Sequence, residues 1–198
     1  MQGDAYLKCI DPHCGLEYPI KSTNVQCEKG HLLDVKYRNK PNENLKEVFA
    51  HRGRMDEDII FNESGVWRFR ELINFCEINT ENIDECSKFL VSLDGAEGRQ
   101  SKPYHMTKVS SFMGIASDNL WLQPEGYNPS GSFKDNGMAS AVTHAKMVGA
   151  KKIVCASTGN TSASAGMFAA NEGIRCDVYI PAGQIAPGKL SQAYQFGA

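Results

Sequence analysis

Residues 151–182, KKIVCASTGNTSASAGMFAANEGIRCDVYIPA, hold two short apolar runs separated by a segment rich in small residues. KKIVCA and CDVYIPA have the continuous apolar character that is typical of buried strands in a parallel sheet. Between them, TSASAGMFAANEG is predicted to be a helix that ends at Gly173. A strand, a helix and a second strand in this order predict a parallel sheet with a right-handed crossover connection.

The same alternation continues on both sides of this unit. Upstream, residues 119–123 (NLWLQ) are predicted to form another strand and residues 132–149 a helix. Downstream, residues 186–198 open a further helix, with Pro187 near its start. We therefore expect an α/β fold of parallel βαβ units, in which ligands bind at the carboxyl ends of the strands.

The composition of the 198-residue chain changes near residue 100. Residues 1–100 carry more acidic than basic side chains, whereas residues 101–198 carry more basic ones and are richer in Gly, Ala and Ser. We predict three parts: a small β-rich module over 1–38, a linker and helical lead-in over 39–100, and an α/β domain over 101–198. The lead-in is predicted to contain a short helix at LKEVFAH and a second helix that begins at Ser64.

The charge balance limits the partners that the chain can have. It has Lys+Arg 21, Asp+Glu 23 and a formal net charge of −2. Proteins that bind nucleic acids or membrane surfaces depend on clustered positive charge, so neither is an expected partner. No apolar run approaches the ~18 residues of a membrane span, and the first residues lack a signal-peptide pattern. The expectation is a cytoplasmic protein whose partner is a small molecule.

Three of the seven cysteines lie close together near the N-terminus. Cys9 and Cys14 are spaced C-x4-C, and Cys27 with His31 is spaced C-x3-H. A structural zinc site needs four nitrogen or sulfur ligands, which these four residues supply, with His13 as an alternative ligand. The other interpretation is a ribbon that ordinary packing holds together without metal.

The loop PEGYNPSGSFKD, at 124–135, leads into the helix that follows NLWLQ and places Lys134 at its start. A helix N-terminus disfavours an ammonium group and so favours the neutral amine, which Schiff-base chemistry with an aldehyde cofactor requires. Phe133 is placed to pack near a flat ring. The alternative is a solvated lysine in the first turn of a helix.

The loop STGNTSAS follows the strand KKIVCA and precedes the next helix. It presents hydroxyl groups, an amide and backbone N–H groups at a helix N-terminus, which is a ready site for an anion or a carboxylate. Its polar side chains belong to Ser157, Thr158, Asn160 and Thr161. Gly159 permits close approach of a ligand to the backbone. The alternative is a helix that is simply well capped.

Together, GYNPSGSFKDNGM at 126–138 and CASTGNTSAS at 155–164 resemble the threonine synthases, pyridoxal 5'-phosphate (PLP) enzymes of the tryptophan-synthase-β fold group, also called fold-type II. The resemblance covers most of residues 94–198. SGVWRFREL, at 64–72, is similar to the segment that precedes the catalytic domain in this family. The module at 5–37 is similar to the family's N-terminal zinc-ribbon-like piece.

The resemblance implies a role for each matching residue. Lys134 forms the Schiff base with PLP and later transfers protons as a base. Asn160 hydrogen-bonds the ring hydroxyl of the cofactor, and Phe133 lies against the cofactor. The α-carboxylate of the amino-acid substrate is held by three residues, Ser157, Thr158 and Thr161. The implied reaction, that of a carbon–oxygen lyase in threonine biosynthesis, converts O-phospho-L-homoserine and water to L-threonine and phosphate.

The chain departs from the family pattern at three places that bear on substrate choice. The family often has Arg where this chain has Asn136 and commonly has Lys where it has Gln123, and its G-E-G-x-T-P-L stretch appears here only as residues 95–104. Two alternatives therefore stand: a serine/threonine dehydratase-like PLP lyase, and a PLP-binding homologue without activity. The family pattern further implies a homodimer. It also implies that the rest of the fold, with the groups for the PLP phosphate and ring nitrogen, follows Ala198, so that this chain alone binds PLP weakly and is inactive.

Overall fold

The computed structural model describes residues 5–38, 44–52, 65–73, 103–116, 119–183 and 187–198. Within these ranges, no helix has the length and apolar character needed to cross a membrane.

The N-terminal module is a three-stranded antiparallel sheet. Its strands are β1 (Ala5–Cys9), β2 (Glu17–Pro19) and β3 (Leu33–Tyr37), in the order β2-β1-β3. The central strand β1 alternates buried and half-buried residues, as expected of a strand that packs one face inward. The predicted β-rich character of the module is therefore confirmed.

The apolar core of this module is small. It consists of Ala5, Leu7 and Ile20, with Tyr18 and Leu33 packed against it. Three small to medium side chains bury little apolar surface, and domains of this size usually need additional cross-links to be stable.

Two short helical segments follow the module. Helix α1 spans Leu45–Arg52, which confirms the helix predicted at LKEVFAH, and Trp67–Leu72 is a 3-10 helix rather than the predicted α-helix. Its backbone departs from helical geometry at Phe69, where φ is −108°. The predicted cap, Ser64, lies outside the described residues, as do 74–102.

Trp67 joins the lead-in to the α/β region. Its side chain is 1% exposed and packs with Ala139, Val142 and Phe168. A fully buried tryptophan dominates the core in which it sits, because aromatic side chains bury the largest apolar area. The lead-in is therefore packed into the α/β core over 65–73.

The α/β region begins with a two-stranded ribbon. Strands β4 (Tyr104–His105) and β5 (Trp121–Leu122) pair antiparallel, with helix α2 (Thr107–Met113) between them. We predicted that 119–123 would be a strand of the parallel sheet, and that prediction is wrong in its pairing. The rings of His105 and Trp121 stack across the ribbon with centroids 4.7 Å apart, and cross-strand pairs of this kind stabilise antiparallel pairing.

The predicted βαβ unit is present. Strand β6 (Lys152–Ala156) pairs parallel with β7 (Arg175–Tyr179), and helix α4 (Asn160–Asn171) connects them. Helix α3 (Lys134–Met147) precedes β6, and α5 (Pro187–Gln195) follows β7.

Both strands of the parallel sheet are less buried than their sequences predict. Ile153 and Val178 pack toward α4, whereas Val154 and Tyr179 are exposed. Within the described residues, a helix covers one face of this two-stranded sheet only. The apolar runs predicted strands on both sides of α4, but their burial depends on neighbours that a local sequence does not specify.

Small residues allow α4 to pack closely on several sides. All its residues from 162 to 166 are buried. A Cβ atom at Gly166 would lie 3.1 Å from the Cβ of Ala198, so a larger residue there would push the C-terminal segment away. Helix α4 is consequently the centre of the α/β region.

Candidate active site

Lys134 is the first residue of α3, at the end of a tightly turned loop. Gly131 has a φ of 79°, a conformation that L side chains rarely adopt, and its N–H donates to the Asn128 carbonyl at 2.7 Å. The backbone N–H of Lys134 donates to Ser132 Oγ at 3.1 Å. The Gly, Pro and Ser residues of this loop therefore hold the lysine at a helix N-terminus, as predicted.

The amine of Lys134 lies over an aromatic ring. Its Nζ is 4.5 Å from the ring centroid of Phe133, which is 56% exposed. The lysine itself is half-buried, and within the described ranges no carboxylate is near enough to form an ion pair with it. An amine without an ion-pair partner at a helix N-terminus can enter a covalent bond without first breaking a salt bridge.

The second predicted loop joins β6 to α4. Ser157 Oγ accepts a hydrogen bond from the Gly159 N–H at 3.3 Å. The N-cap of α4 is Gly159, which has no side chain that could cap the helix. Thr158, Asn160 and Thr161 donate no side-chain hydrogen bond to another described residue, so helix capping does not account for them. Hydroxyl and amide groups at a helix N-terminus are of the kind that can bind an anion.

The structure joins the two helices that follow these loops. Helices α3 and α4 pack against each other through Val142 and Phe168. Near their N-terminal ends, Ser164 Oγ donates to the Asp135 carboxylate at 2.6 Å. This contact joins the first turn of α3, which begins at Lys134, to a residue about one turn into α4, which begins at Asn160.

Asp135 is the residue near the site whose surroundings the sequence did not predict. Its side chain is 0% exposed and accepts hydrogen bonds from both the N–H and the Oγ of Ser130, at 2.7 and 2.5 Å. An acidic residue in the first turn of a helix ordinarily indicates only a favourable interaction with the helix dipole. The local sequence contains no further signal of this network.

Glu125 is hydrogen-bonded to residues at two of the positions where the chain departs from the family pattern. Its Oε1 accepts from the Gln123 amide at 2.8 Å, and its Oε2 accepts from the amides of Asn136 at 3.0 Å and Asn128 at 2.9 Å. The residues at both departures therefore bind one carboxylate. This cluster joins the 3-10 turn Glu125–Tyr127 to the first turn of α3.

The four predicted metal ligands converge in the N-terminal module. The ligand atoms of Cys9, Cys14, Cys27 and His31 all lie within 4.8 Å of one another. Cys27 Sγ is 3.7 Å from Cys9 Sγ and 3.9 Å from Cys14 Sγ, and Cys9 Sγ is 3.5 Å from His31 Nδ1. A tetrahedron with zinc–sulfur bonds of about 2.3 Å has sulfur–sulfur edges of about 3.8 Å, so the cluster has the dimensions of a zinc site.

The pKa values of two thiols in this cluster, Cys9 and Cys27, are shifted in opposite directions. Burial raises the pKa of Cys9 to about 11. Burial acts in the same direction on Cys27, but hydrogen bonds from the backbone of His31 and Lys29, together with those to the Cys9 and Cys14 thiols, outweigh it and lower the pKa of that thiol. Thiolates bind metal and thiols do not, so binding of a metal here would release protons. His13, the alternative ligand, is not in the cluster.

The chain is similar in sequence to known proteins. Residues 102–198 match the family described as pyridoxal-phosphate dependent enzyme. The chain is 35% identical to a threonine synthase of Methanocaldococcus jannaschii over 191 residues, which is 96% of this chain and 41% of that protein. It is 60% identical to a threonine synthase of Mycobacterium tuberculosis over 79 residues, 40% of this chain and 22% of that protein. The chain spans about two fifths or less of these relatives.

These similarities cover both candidate loops. The matched segment contains both loops and the helices α3 and α4 that follow them, and it includes Lys134 and residues 157–161. Residues 102–198 are therefore similar to the family of pyridoxal-phosphate dependent enzymes.

Proposed function

We propose that the protein to which this chain belongs is a threonine synthase, which converts O-phospho-L-homoserine and water to L-threonine and phosphate. The observation that carries the proposal is the similarity to a threonine synthase over 96% of the chain, which includes the N-terminal module as well as both site loops.

Lys134 is the residue proposed to hold the cofactor. Its half-buried amine lies beside an exposed aromatic ring, and no ion pair with a described residue competes for it. When bound, PLP withdraws electrons from the α-carbon of an amino acid. Lys134 Nζ would then move protons at the substrate carbons, because an amine near that carbon can both accept and return a proton.

The loop at 157–161 is proposed to orient the cofactor and the substrate. Asn160 would donate to the ring hydroxyl of the cofactor, and Phe133 would cover one of its faces. Three residues would bind the substrate's α-carboxylate, namely Ser157, Thr158 and Thr161. Hydroxyl and backbone N–H donors at a helix N-terminus suit such an anion.

The N-terminal module is proposed to be a zinc-ribbon-like module in which Cys9, Cys14, Cys27 and His31 bind one structural zinc ion. The spacing of the sulfur atoms and the small apolar core support this proposal. Elemental analysis of the purified chain should find zinc and protein in a one-to-one ratio. Purification with added zinc that leaves the chain free of metal would contradict the proposal.

We also propose that the boundaries 1–38, 39–100 and 101–198 describe the organisation of the chain. In support, the module has its own core, and the lead-in at 65–73 packs on the α/β helices. The cytoplasmic location and the homodimer remain predictions.

Kinetic assays of the full-length protein with O-phospho-L-homoserine test the proposed reaction. Equal amounts of phosphate and threonine should form, and Lys134→Ala should abolish both. Phosphate release without threonine would instead indicate an eliminating lyase, and cofactor binding without turnover would indicate a homologue without activity.

A labelling experiment with this chain tests the role of Lys134 separately. Treatment with PLP and borohydride, followed by peptide mass spectrometry, should modify Lys134 in preference to other lysines. Lys151→Ala is the matched control, because Lys151 is an exposed lysine that lies outside the site loops. If labelling is spread evenly over surface lysines, the assignment of Lys134 is wrong.

A further inference from the structure

The buried carboxylate of Asp135 is linked to three separate parts of the site. It is directly bonded to Ser130, in the loop before Lys134, and to Ser164, in α4. Ser130 extends the link, because its carbonyl accepts from Gln192 Nε2 of α5 at 3.0 Å. The carboxylate thus connects the lysine loop with α4, and Ser130 of the same loop contacts α5.

The bonds to Asp135 are of the strong kind. A buried carboxylate is costly unless donors satisfy it, and the three that bind it do so at 2.5 to 2.7 Å, distances typical of charge-assisted hydrogen bonds. Within the described ranges, no lysine, arginine or histidine forms an ion pair with it. Hydrogen bonds from hydroxyl and N–H groups therefore offset the cost of burying the carboxylate. The same bonds fix the positions of those groups.

The hydrogen bonds of Asp135 constrain both the loop that ends at Lys134 and the start of α4. Asp135 is adjacent to Lys134 in sequence, and Ser164 lies about one helical turn beyond Asn160. A shift of either partner would move the amine of Lys134 relative to the 157–161 loop. In catalysis, displacements of about 1 Å in such relative positions are costly.

We propose that Asp135 is a positioning residue, whose carboxylate holds the lysine loop against α4 and so sets where the Lys134 amine lies relative to the 157–161 loop. The proposal rests on the proposed role of Lys134. It concerns a group that does not itself touch the cofactor or the substrate.

The test compares Asp135→Asn and Ser164→Ala with two controls in the 198-residue chain. Ser110→Ala removes a fully buried serine hydroxyl from α2, away from this network, and Val142→Ala destabilises the same core without touching the carboxylate. The rate of PLP-borohydride labelling at Lys134 is measured by peptide mass spectrometry, at a temperature where circular dichroism shows every variant folded. Hydrogen exchange of peptides that cover 128–134 and 157–165 is measured without cofactor.

Labelling at Lys134 should fall roughly tenfold in Asp135→Asn and roughly threefold in Ser164→Ala, reflecting the hydrogen bonds lost. Hydrogen exchange should rise in both loops together, and neither control should reproduce this pattern. If the variants exchange faster but label Lys134 at the parent rate, or if Val142→Ala lowers labelling equally, Asp135 has a structural role only and the proposal is overturned.

Failure of the proposed function gives a different result. A parent chain without preferential label at Lys134 would refute the role of that lysine. Hydrogen exchange would still decide whether Asp135 couples the two loops, because that readout needs no cofactor. Unchanged exchange in both Asp135→Asn and Ser164→Ala would overturn the inference by itself.

Discussion

The N-terminal module and the α/β region bring their candidate functional residues together in different ways. In the module, Cys9 and Cys27 are buried beside a very small apolar core, so the candidate metal site occupies the interior. In the α/β region, Lys134 is the first residue of α3 and lies outside a separate core that includes Trp67 and Phe168. Substitutions in the candidate metal site should therefore unfold the module. Substitutions at Lys134 should leave the α/β region folded.

The largest effect should come from Cys27→Ser in the module. Removal of one of the four proposed ligands should forfeit most of the folding free energy that a structural zinc ion supplies, which is on the order of 10 kcal/mol. The expected result is loss of bound zinc and fast hydrogen exchange throughout 5–38. Cys176→Ser is the control, since this buried thiol belongs to the α/β core. Retention of zinc and of slow exchange in Cys27→Ser would contradict the comparison.

The next largest effect is expected for Trp67→Ala in the α/β region. Truncation of a fully buried tryptophan should lower the free energy of unfolding by about 3–5 kcal/mol. Chemical denaturation monitored by circular dichroism measures this change, while the zinc content should stay that of the parent. Phe112→Ala is the control, because Phe112 is 92% exposed. Equal effects of the two substitutions would show that Trp67 is not a core residue.

A smaller effect is expected at a contact between the two regions. His144 Nε2 of α3 lies 2.7 Å from the Ile20 carbonyl of the module. Loss of this hydrogen bond in His144→Ala should cost about 1 kcal/mol. Denaturation of the zinc-loaded chain checks this value, with the exposed His51→Ala as control. If hydrogen exchange in the module is unchanged by His144→Ala, the regions are energetically independent at this contact.

The charge of Asp177 should contribute less, and only over part of the pH range. Hydrogen bonds from Arg175 and Lys152 lower its pKa below the ordinary value of 3.8. The unfolded chain therefore binds the proton more readily, so this contribution to stability is present above the ordinary pKa and is lost as the pH falls through the lowered one.

Asp177→Asn should consequently lower the melting temperature slightly at neutral pH and not at all in strong acid. Thermal melts across this pH range measure the difference. Asp34→Asn is a parallel case in the module, because Lys36 lowers the pKa of Asp34 and its effect should also disappear in acid. A melting difference that persists unchanged in acid would rule out the ion pairs as its cause.

The smallest change in stability is expected for a substitution of Lys134, although this substitution should remove cofactor labelling. Lys134→Met should alter the free energy of unfolding by no more than about 0.5 kcal/mol, as substitutions outside the core do, while cofactor labelling at this position disappears. Denaturation of the chain without cofactor provides the measurement. A loss as large as that of Trp67→Ala would show that the site and the core are not separate.

Local sequence patterns predicted much of this architecture. The helices predicted at 132–149 and 161–173 are present as Lys134–Met147 and Asn160–Asn171, because small-residue runs, helix starts and glycine stops act within a few residues. The pairing of β5 with β4 was predicted incorrectly, since a strand of two paired residues carries no signal that identifies its partner. The exposed face of β6 was missed for a similar reason.

The sequence by itself determined the residue types and the order of the elements: the βαβ unit, the lysine at a helix start, the polar loop and the four candidate metal ligands. These follow from short-range propensity and from spacing along the chain. Only the tertiary structure decided which groups meet. Ser164 and Asp135 are 29 residues apart, and His144 and Ile20 are 124 apart. Such contacts form because a buried polar group needs a hydrogen-bond partner. Which partner is within reach depends on how the whole fold packs.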